Sequence, residues 1–281
     1  MGIIKIISIS IFSVLLLSCK VEGEIQENTE PVASIEPNLA FDDVVSDFNK
    51  WWTYHNEYIL LSSNFTGLNE ESDTIEQKQF LEQLTTGNYI PLKIDSNDNS
   101  NTYKLFELDS TTNKNIVSTI KSESQKNLKY YNMLGSQFPE FEFTDLEGVT
   151  YSNENTKGKT IVLKTWFINC KACILEFPEL NDLVDKYQEK DNIVFLSIAL
   201  DEKVALEKFM KTKEFKYKVI PNQSEFITET LGLYVYPTHI IIDQNGIIRK
   251  VVNNASLMID FLENEIDLTE QVQLTTPPPM Q

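Results

Sequence analysis

Cys170 and Cys173 are separated only by Lys171 and Ala172, a spacing suited to reversible exchange between a dithiol and a disulfide. They lie where an apolar strand, Thr160 to Phe167, runs into a stretch in which Ile174, Phe177, Leu180, Leu183, Val184 and Tyr187 keep helical spacing. Unpaired amides and the macrodipole at a helix N-terminus favour an anion, so Cys170 is the expected thiolate nucleophile. Cys173, one turn on and more buried, is placed to attack a mixed disulfide as the resolving thiol. A purely structural disulfide would constrain little chain because its loop is so short. A zinc site lacks its second half, since Cys19 is the only other cysteine and His55 and His239 are the only histidines.

Elements of opposite periodicity must hold that pair. Phe138 to Tyr151 alternates around Asp145, Glu147 and Gly148 as a hairpin. Ile193 to Leu200 is a continuous apolar run of the kind found in strands covered on both faces. Asp201 to Lys213 and Ser224 to Leu233 read as helices, HIIIDQNGIIRKVV as two strands joined at Asn245 and Gly246, and Ser256 to Leu268 as a closing helix. Strand, helix, strand, helix, hairpin and helix describe an α/β domain with a mixed sheet and helices on both faces.

That order resembles thioredoxin. KTWFINCKACILEFPEL together with YPTHIIIDQNG is similar to the TlpA/ResA-type branch of thiol-disulfide oxidoreductases, over roughly Ser136 to Leu268. The matching elements are Trp166, the CxxC, the helix-kinking Pro178 and Pro237 before the last hairpin. The resemblance implies a cis bond at Pro237, and a substrate-binding role for Trp166, Tyr236, Pro237 and Thr238; otherwise Pro237 simply begins an edge strand. It also implies a carboxylate near the site at Glu176, expected to have a raised pKa and to act as proton acceptor for Cys173, the alternative being a solvated helix residue. There are departures. Lys164 replaces the buried Asp that thioredoxin has six residues before the first Cys, and Asn169 replaces the usual Trp directly before it. The CxxC interior lacks Pro, which leaves the redox potential open. His239 is expected to be a hairpin residue near the active face.

The N-terminus pairs Lys5 with an apolar run from Ile6 to Leu17, too short to span a bilayer. Leu16, Leu17, Ser18 and Cys19 resemble a bacterial lipobox, which implies lipidation of Cys19; an ordinary signal peptide with a coincidental Cys is the alternative. Lys20 after the lipidated Cys favours the outer over the inner membrane. Expected boundaries are a signal peptide at 1–18, a flexible tether at 19–40, a small α+β domain of unassigned role at 41–134, the thioredoxin-like domain at 135–270 and a disordered Pro-rich tail at 271–281. In 41–134, helices are expected at Phe41 to Trp51, Ser72 to Leu84 and Asn115 to Tyr131, and strands at Tyr58 to Phe65, Tyr89 to Ile94 and Tyr103 to Leu108. Trp51, Trp52, Tyr54 and Tyr58 read as core aromatics, or otherwise as a binding surface.

The 281 residues are 41% hydrophobic and 23% charged, which rules out wholesale disorder. The formal charge is −18, and −19 after loss of residues 1–18, which opposes nucleic-acid binding. The resemblance implies an enzyme without bound cofactor. It would be a periplasm-facing lipoprotein that reduces disulfides in exported proteins, fed by a membrane thiol reductase. A thiol peroxidase, or a non-catalytic binding lipoprotein, is the alternative.

Overall fold

The computed structural model describes residues 39–95 and 101–264. The signal peptide, Cys19 and the tail therefore lie outside the described residues, as do nearly all of the tether and the end of the last helix.

In the first segment, Asp47 accepts the amides of Asn49 and Lys50 and so starts a helix. Helices α1 (Phe41–Val45) and α2 (Phe48–Tyr58) are followed by β1 (Thr66–Leu68), β2 (Thr74–Ile75), α3 (Gln77–Thr85), β3 (Tyr89–Ile94), β4 (Thr102–Glu107) and α4 (Lys114–Met133). The strands order as β2-β1-β4-β3, with β1 parallel to β4. Two expectations fail here. Tyr58 to Phe65 is no strand, because α2 runs through Tyr58 to bury Trp51 and Tyr54, and the chain beyond it is held by Leu60 N donating to the Tyr103 hydroxyl at 3.0 Å. The helix expected from Ser72 starts only at Gln77, because Ser72 has φ +72° and Thr74–Ile75 pairs with β1. Trp51 and Tyr54 are buried in the core, whereas Trp52 is exposed.

The second segment places the site. Its elements are β5 (Glu142–Thr144), β6 (Thr150–Ser152), β7 (Thr160–Trp166), α5 (Lys171–Leu175), α6 (Phe177–Lys186), β8 (Ile193–Ala199), α7 (Lys203–Met210), β9 (Lys218–Ile220), a π-helical turn (Phe226–Thr230), β10 (Thr238–Ile242), β11 (Ile248–Val252) and α8 over residues 255–264. The sheet order is β11-β10-β7-β8-β9, parallel from β7 to β9 and antiparallel at β10 and β11. This is the expected thioredoxin-like mixed sheet. The helix expected at Ser224 to Leu233 is π-wound at its centre, where Leu231 N reaches Phe226 O at 2.9 Å, five residues back. The Asn245-Gly246 turn forms, with Gly246 at φ +81° and Asp243 accepting the amides of Asn245 and Ile247.

Alternation along β7 divides the core. Val162 and Trp166 face Cys173, Phe177, Leu180, Met258 and Leu262 on one side of the sheet. Ile161 and Leu163 face Phe138, Phe143, Ile227 and the Tyr130 end of α4 on the other. All described residues fall in one compact unit. Gly135 N donates to Ile248 O at 2.9 Å, and Lys250 Nζ to Ser62 O at 2.7 Å, so the first segment is joined to β11.

A close approach in the first segment can be tested. A Cβ on Gly67 would lie 2.8 Å from Cδ2 of Phe80, which is fully buried. Gly67→Ala should therefore destabilise the protein by about 1–3 kcal/mol through overpacking. An unchanged urea midpoint would show that α3 is not seated on β1 as described.

Candidate active site

The end of β7 and the start of α5 bring the cysteines to the sheet's edge. Cys170 is the N-cap of α5 and forms a disulfide with Cys173, with Cα atoms 5.3 Å apart. Cys173 is fully buried and Cys170 is 7% exposed. The Cys173 amide donates to Cys170 Sγ at 3.2 Å. In the reduced state the same amide would favour a thiolate on Cys170. The preceding loop is braced by Ile168 N donating to Asp201 Oδ2 at 2.8 Å and by Cys170 N donating to Phe167 O at 3.0 Å.

α5 and α6 would be one helix but for Pro178, which has no N–H for the Ile174 carbonyl four residues back. The break falls at Glu176. There its side chain turns into the protein and meets donors from three elements. Lys164 of β7 forms an ion pair with Oε2, His239 Nε2 lies 3.0 Å from the same oxygen, and Ala255 N, at the start of α8, donates to Oε1 at 3.1 Å. Lys164 and His239 are direct cross-strand partners on β7 and β10, both fully buried. Two cations so placed would repel, and burial lowers the His239 pKa against the opposing hydrogen bond from Glu176. Burial lowers the Lys164 pKa as well, opposed by the charge and hydrogen bond of Glu176. The ion pair is that of an ionised Glu176 with Lys164, and the carboxylate accepts from Nε2 of a neutral His239. Its Nδ1 has no partner among the described residues.

This overturns the expectation of a raised pKa at Glu176. Burial pushes the carboxyl up, but the hydrogen bond from His239 and the charge and hydrogen bond of Lys164 outweigh it and hold the group below its ordinary value. It does not behave as a solvated helix residue either, since its side chain is 14% exposed. Glu179, by contrast, is raised by burial and then by the charge of Glu176.

The structure also separates the residues expected to bind substrate. The Tyr236–Pro237 bond is cis, as the resemblance implied. Trp166 is fully buried, packed edge-on against Phe177 at 5.2 Å and Phe215 at 5.9 Å. It supports the site from beneath and cannot touch a bound chain. Pro237 and Thr238 are buried too, while Tyr236 is half-buried with its ring edge-on to Phe167 at 5.4 Å. On α5 and in the loop before Pro237, the exposed large apolar residues are ones the sequence did not single out, Leu175, Tyr234 and Val235. Lys164 and His239 were likewise missed as partners of Glu176. A signal existed: a lysine inside an otherwise apolar, doubly covered strand requires a buried counter-charge.

Removing that counter-charge tests the arrangement. Glu176→Ala strands a buried ammonium and should lose about 3–5 kcal/mol near neutral pH, most of it recovered when Lys164→Met and Glu176→Leu are combined. Because the folded pKa of Glu176 is depressed, its contribution is complete above the unfolded value of 4.5 and is lost as pH falls from there through the folded value. Urea unfolding of the oxidised protein should show the gap between wild type and Glu176→Gln narrowing below that point. A gap that widens with acid would contradict the ionised assignment.

Residues 134–251 match the AhpC/TSA family. The thiol-disulfide oxidoreductase ResA of Bacillus thuringiensis subsp. konkukian is 34% identical over 113 residues, covering 40% of this chain and 65% of that protein. ResA of Bacillus cereus strain ZK is 32% identical over 120 residues, covering 42% of this chain and 69% of that protein. Among solved structures, the thioredoxin domain of a thiol-disulfide oxidoreductase from Bacteroides vulgatus aligns at TM-score 0.43 and 20% identity, over 47% of this chain and 96% of that one. The chain thus spans about 65% of the length of the first of these relatives. On the strength of the second ResA relation and the cysteine geometry, the chain belongs to the ResA family of thioredoxin-fold thiol-disulfide oxidoreductases.

Proposed function

We propose that this chain is a thiol-disulfide oxidoreductase of the bacterial envelope, held to a membrane by lipid on Cys19, that reduces disulfides in exported proteins. The observation that carries the reading is the Cys170–Cys173 disulfide at the head of α5, with the Cys173 amide directed at Cys170 Sγ. Cys170 as thiolate attacks one sulfur of a client disulfide, and the other client sulfur leaves as a thiolate. Cys173 attacks Cys170 Sγ, its proton passing to the client thiolate already released, and the second client sulfur leaves as a thiolate. Two electrons pass to the client, and the Cys170–Cys173 disulfide results. Electrons return by thiol exchange from a membrane reductase, with no bound cofactor.

Tyr236 and the exposed Tyr234 and Val235 supply the surface for the client chain, with Pro237 and Thr238 setting its shape. No helix among the described residues is long and apolar enough to cross a membrane, and anchoring rests on the lipobox. The −18 charge speaks against a nucleic-acid partner.

The AhpC/TSA match keeps a peroxidase reading in view. Under it, hydrogen peroxide would rapidly convert Cys170 to a sulfenate; the dithiol reading expects a slow reaction in stopped flow.

Cys170→Ala should abolish reduction of protein disulfides, while Cys173→Ala should accumulate mixed disulfides on Cys170 that a reductant releases. Captured species identified by mass spectrometry would name clients or the donor. A Cys170/Cys173 potential as high as that of dedicated oxidants would overturn the reductive direction.

A further inference from the structure

Strand alternation sends neighbouring side chains to opposite faces, and at the head of β10 it divides two residues between different neighbourhoods. His239 faces Glu176. Thr238 faces the other way, toward α4. There Tyr130, 5% exposed, places its hydroxyl 3.2 Å from Thr238 Oγ1 across 108 positions of sequence. Asn253, just beyond β11, lies between them, with Nδ2 2.9 Å from the Tyr130 hydroxyl, 2.7 Å from Pro237 O and 3.0 Å from Thr238 Oγ1.

The direction of these bonds follows from proton supply. Thr238 has one hydroxyl proton and donates it to Val235 O at 2.6 Å. Toward Tyr130 and Asn253 its oxygen can only accept. The Tyr130 proton therefore goes to Thr238, and the Tyr130 oxygen accepts from Asn253. The result is a one-way chain from the Asn253 amide through Tyr130 and Thr238 to the Val235 carbonyl, while Asn253 also holds Pro237 O. The carbonyls on both sides of Tyr236 are thereby pinned, and Thr238 N is tied separately to Thr165 Oγ1 at 3.1 Å.

Tyr236 lies between these anchors, half-buried, with its hydroxyl donating to Leu233 O at 3.4 Å. Its ring meets Phe167, whose carbonyl accepts the Cys170 amide, so the setting of the loop reaches the cysteines. The exposed Tyr234 and Val235 belong to the same loop. Tyr130 itself lies before the 134–251 stretch matched to the family. The segment without assigned chemistry thus supplies a side chain that the substrate loop depends on.

We propose that α4, through Tyr130, is a positioning element for loop 235–237 and that the first segment thereby sets recognition of extended client chains. This rests on the thiol-disulfide reading above. A polypeptide disulfide must lie along the loop, whereas a small disulfide needs only the cysteines, so the two substrates separate positioning from chemistry.

The test uses the mature chain with a dithiol regenerant, insulin as protein disulfide and dithiobis(nitrobenzoate) as small disulfide. Tyr130→Phe removes one oxygen. It should lower the ratio of the two kcat/KM values, protein over small, by about three- to tenfold, the equivalent of one buried hydrogen bond. Asn253→Ala should lower the ratio at least as far, and the double variant no further than Asn253→Ala alone, because both changes cut one chain. An unchanged ratio in Tyr130→Phe, or single effects that add in full, would overturn the proposal. Wild-type protein with no Cys170-dependent turnover of either substrate would instead remove the oxidoreductase reading, and this proposal with it, before any ratio is compared.

Discussion

A carboxylate buried against a lysine is tolerable only if both charges are paired and the remaining acceptor sites are filled. Glu176 meets that requirement with Lys164 and His239 on one oxygen and the Ala255 amide on the other. The donors come from β7, β10 and α8, and the acceptor from the break between α5 and α6. One side chain thus joins the central strand, the strand after the cis-proline loop, the closing helix and the cysteine helix. A shift of any one of these elements would leave a charge or a polar group unpaired.

The set of ionised Glu176, its ion-pair partner Lys164 and neutral His239 lies on the cysteine face of the sheet. The proposed asymmetry between the two cysteines follows from the Cys173 amide directed at Cys170 Sγ. On the opposite face, the chain from Asn253 through Tyr130 and Thr238 shapes the loop over the site. Two adjacent residues of β10, Thr238 and His239, connect these systems because a strand turns successive side chains to opposite sides.

Much of this was legible in the residues. The apolar runs of β7 and β8, the helical spacing after Cys173 and the Asn245-Gly246 turn each have a local cause, and each element formed where expected. The failures also have causes. Tyr58 to Phe65 has strand composition, but α2 buries Trp51 and Tyr54 and carries the helix through Tyr58. Ser72 has helical context, yet its left-handed backbone and the β1–β2 pairing delay α3 to Gln77. The resemblance implied substrate contact for Trp166, but its burial is a property of the assembled core and cannot be read from a motif.

The kind of chemistry was set by local chain: two thiols, two intervening residues and a strand-to-helix junction suffice to place a nucleophile at a helix N-terminus. Which distant side chains meet was decided only by folding. Lys164, Glu176 and His239 are 12 and 63 positions apart, and Tyr130 and Thr238 are 108 apart. Periodicity reports which face a side chain takes within its own element, but not which distant side chain shares that face. The sign of the Glu176 shift turned on that information, because burial alone raises a carboxyl and only the hydrogen bond from His239 and the charge of Lys164 bring it down.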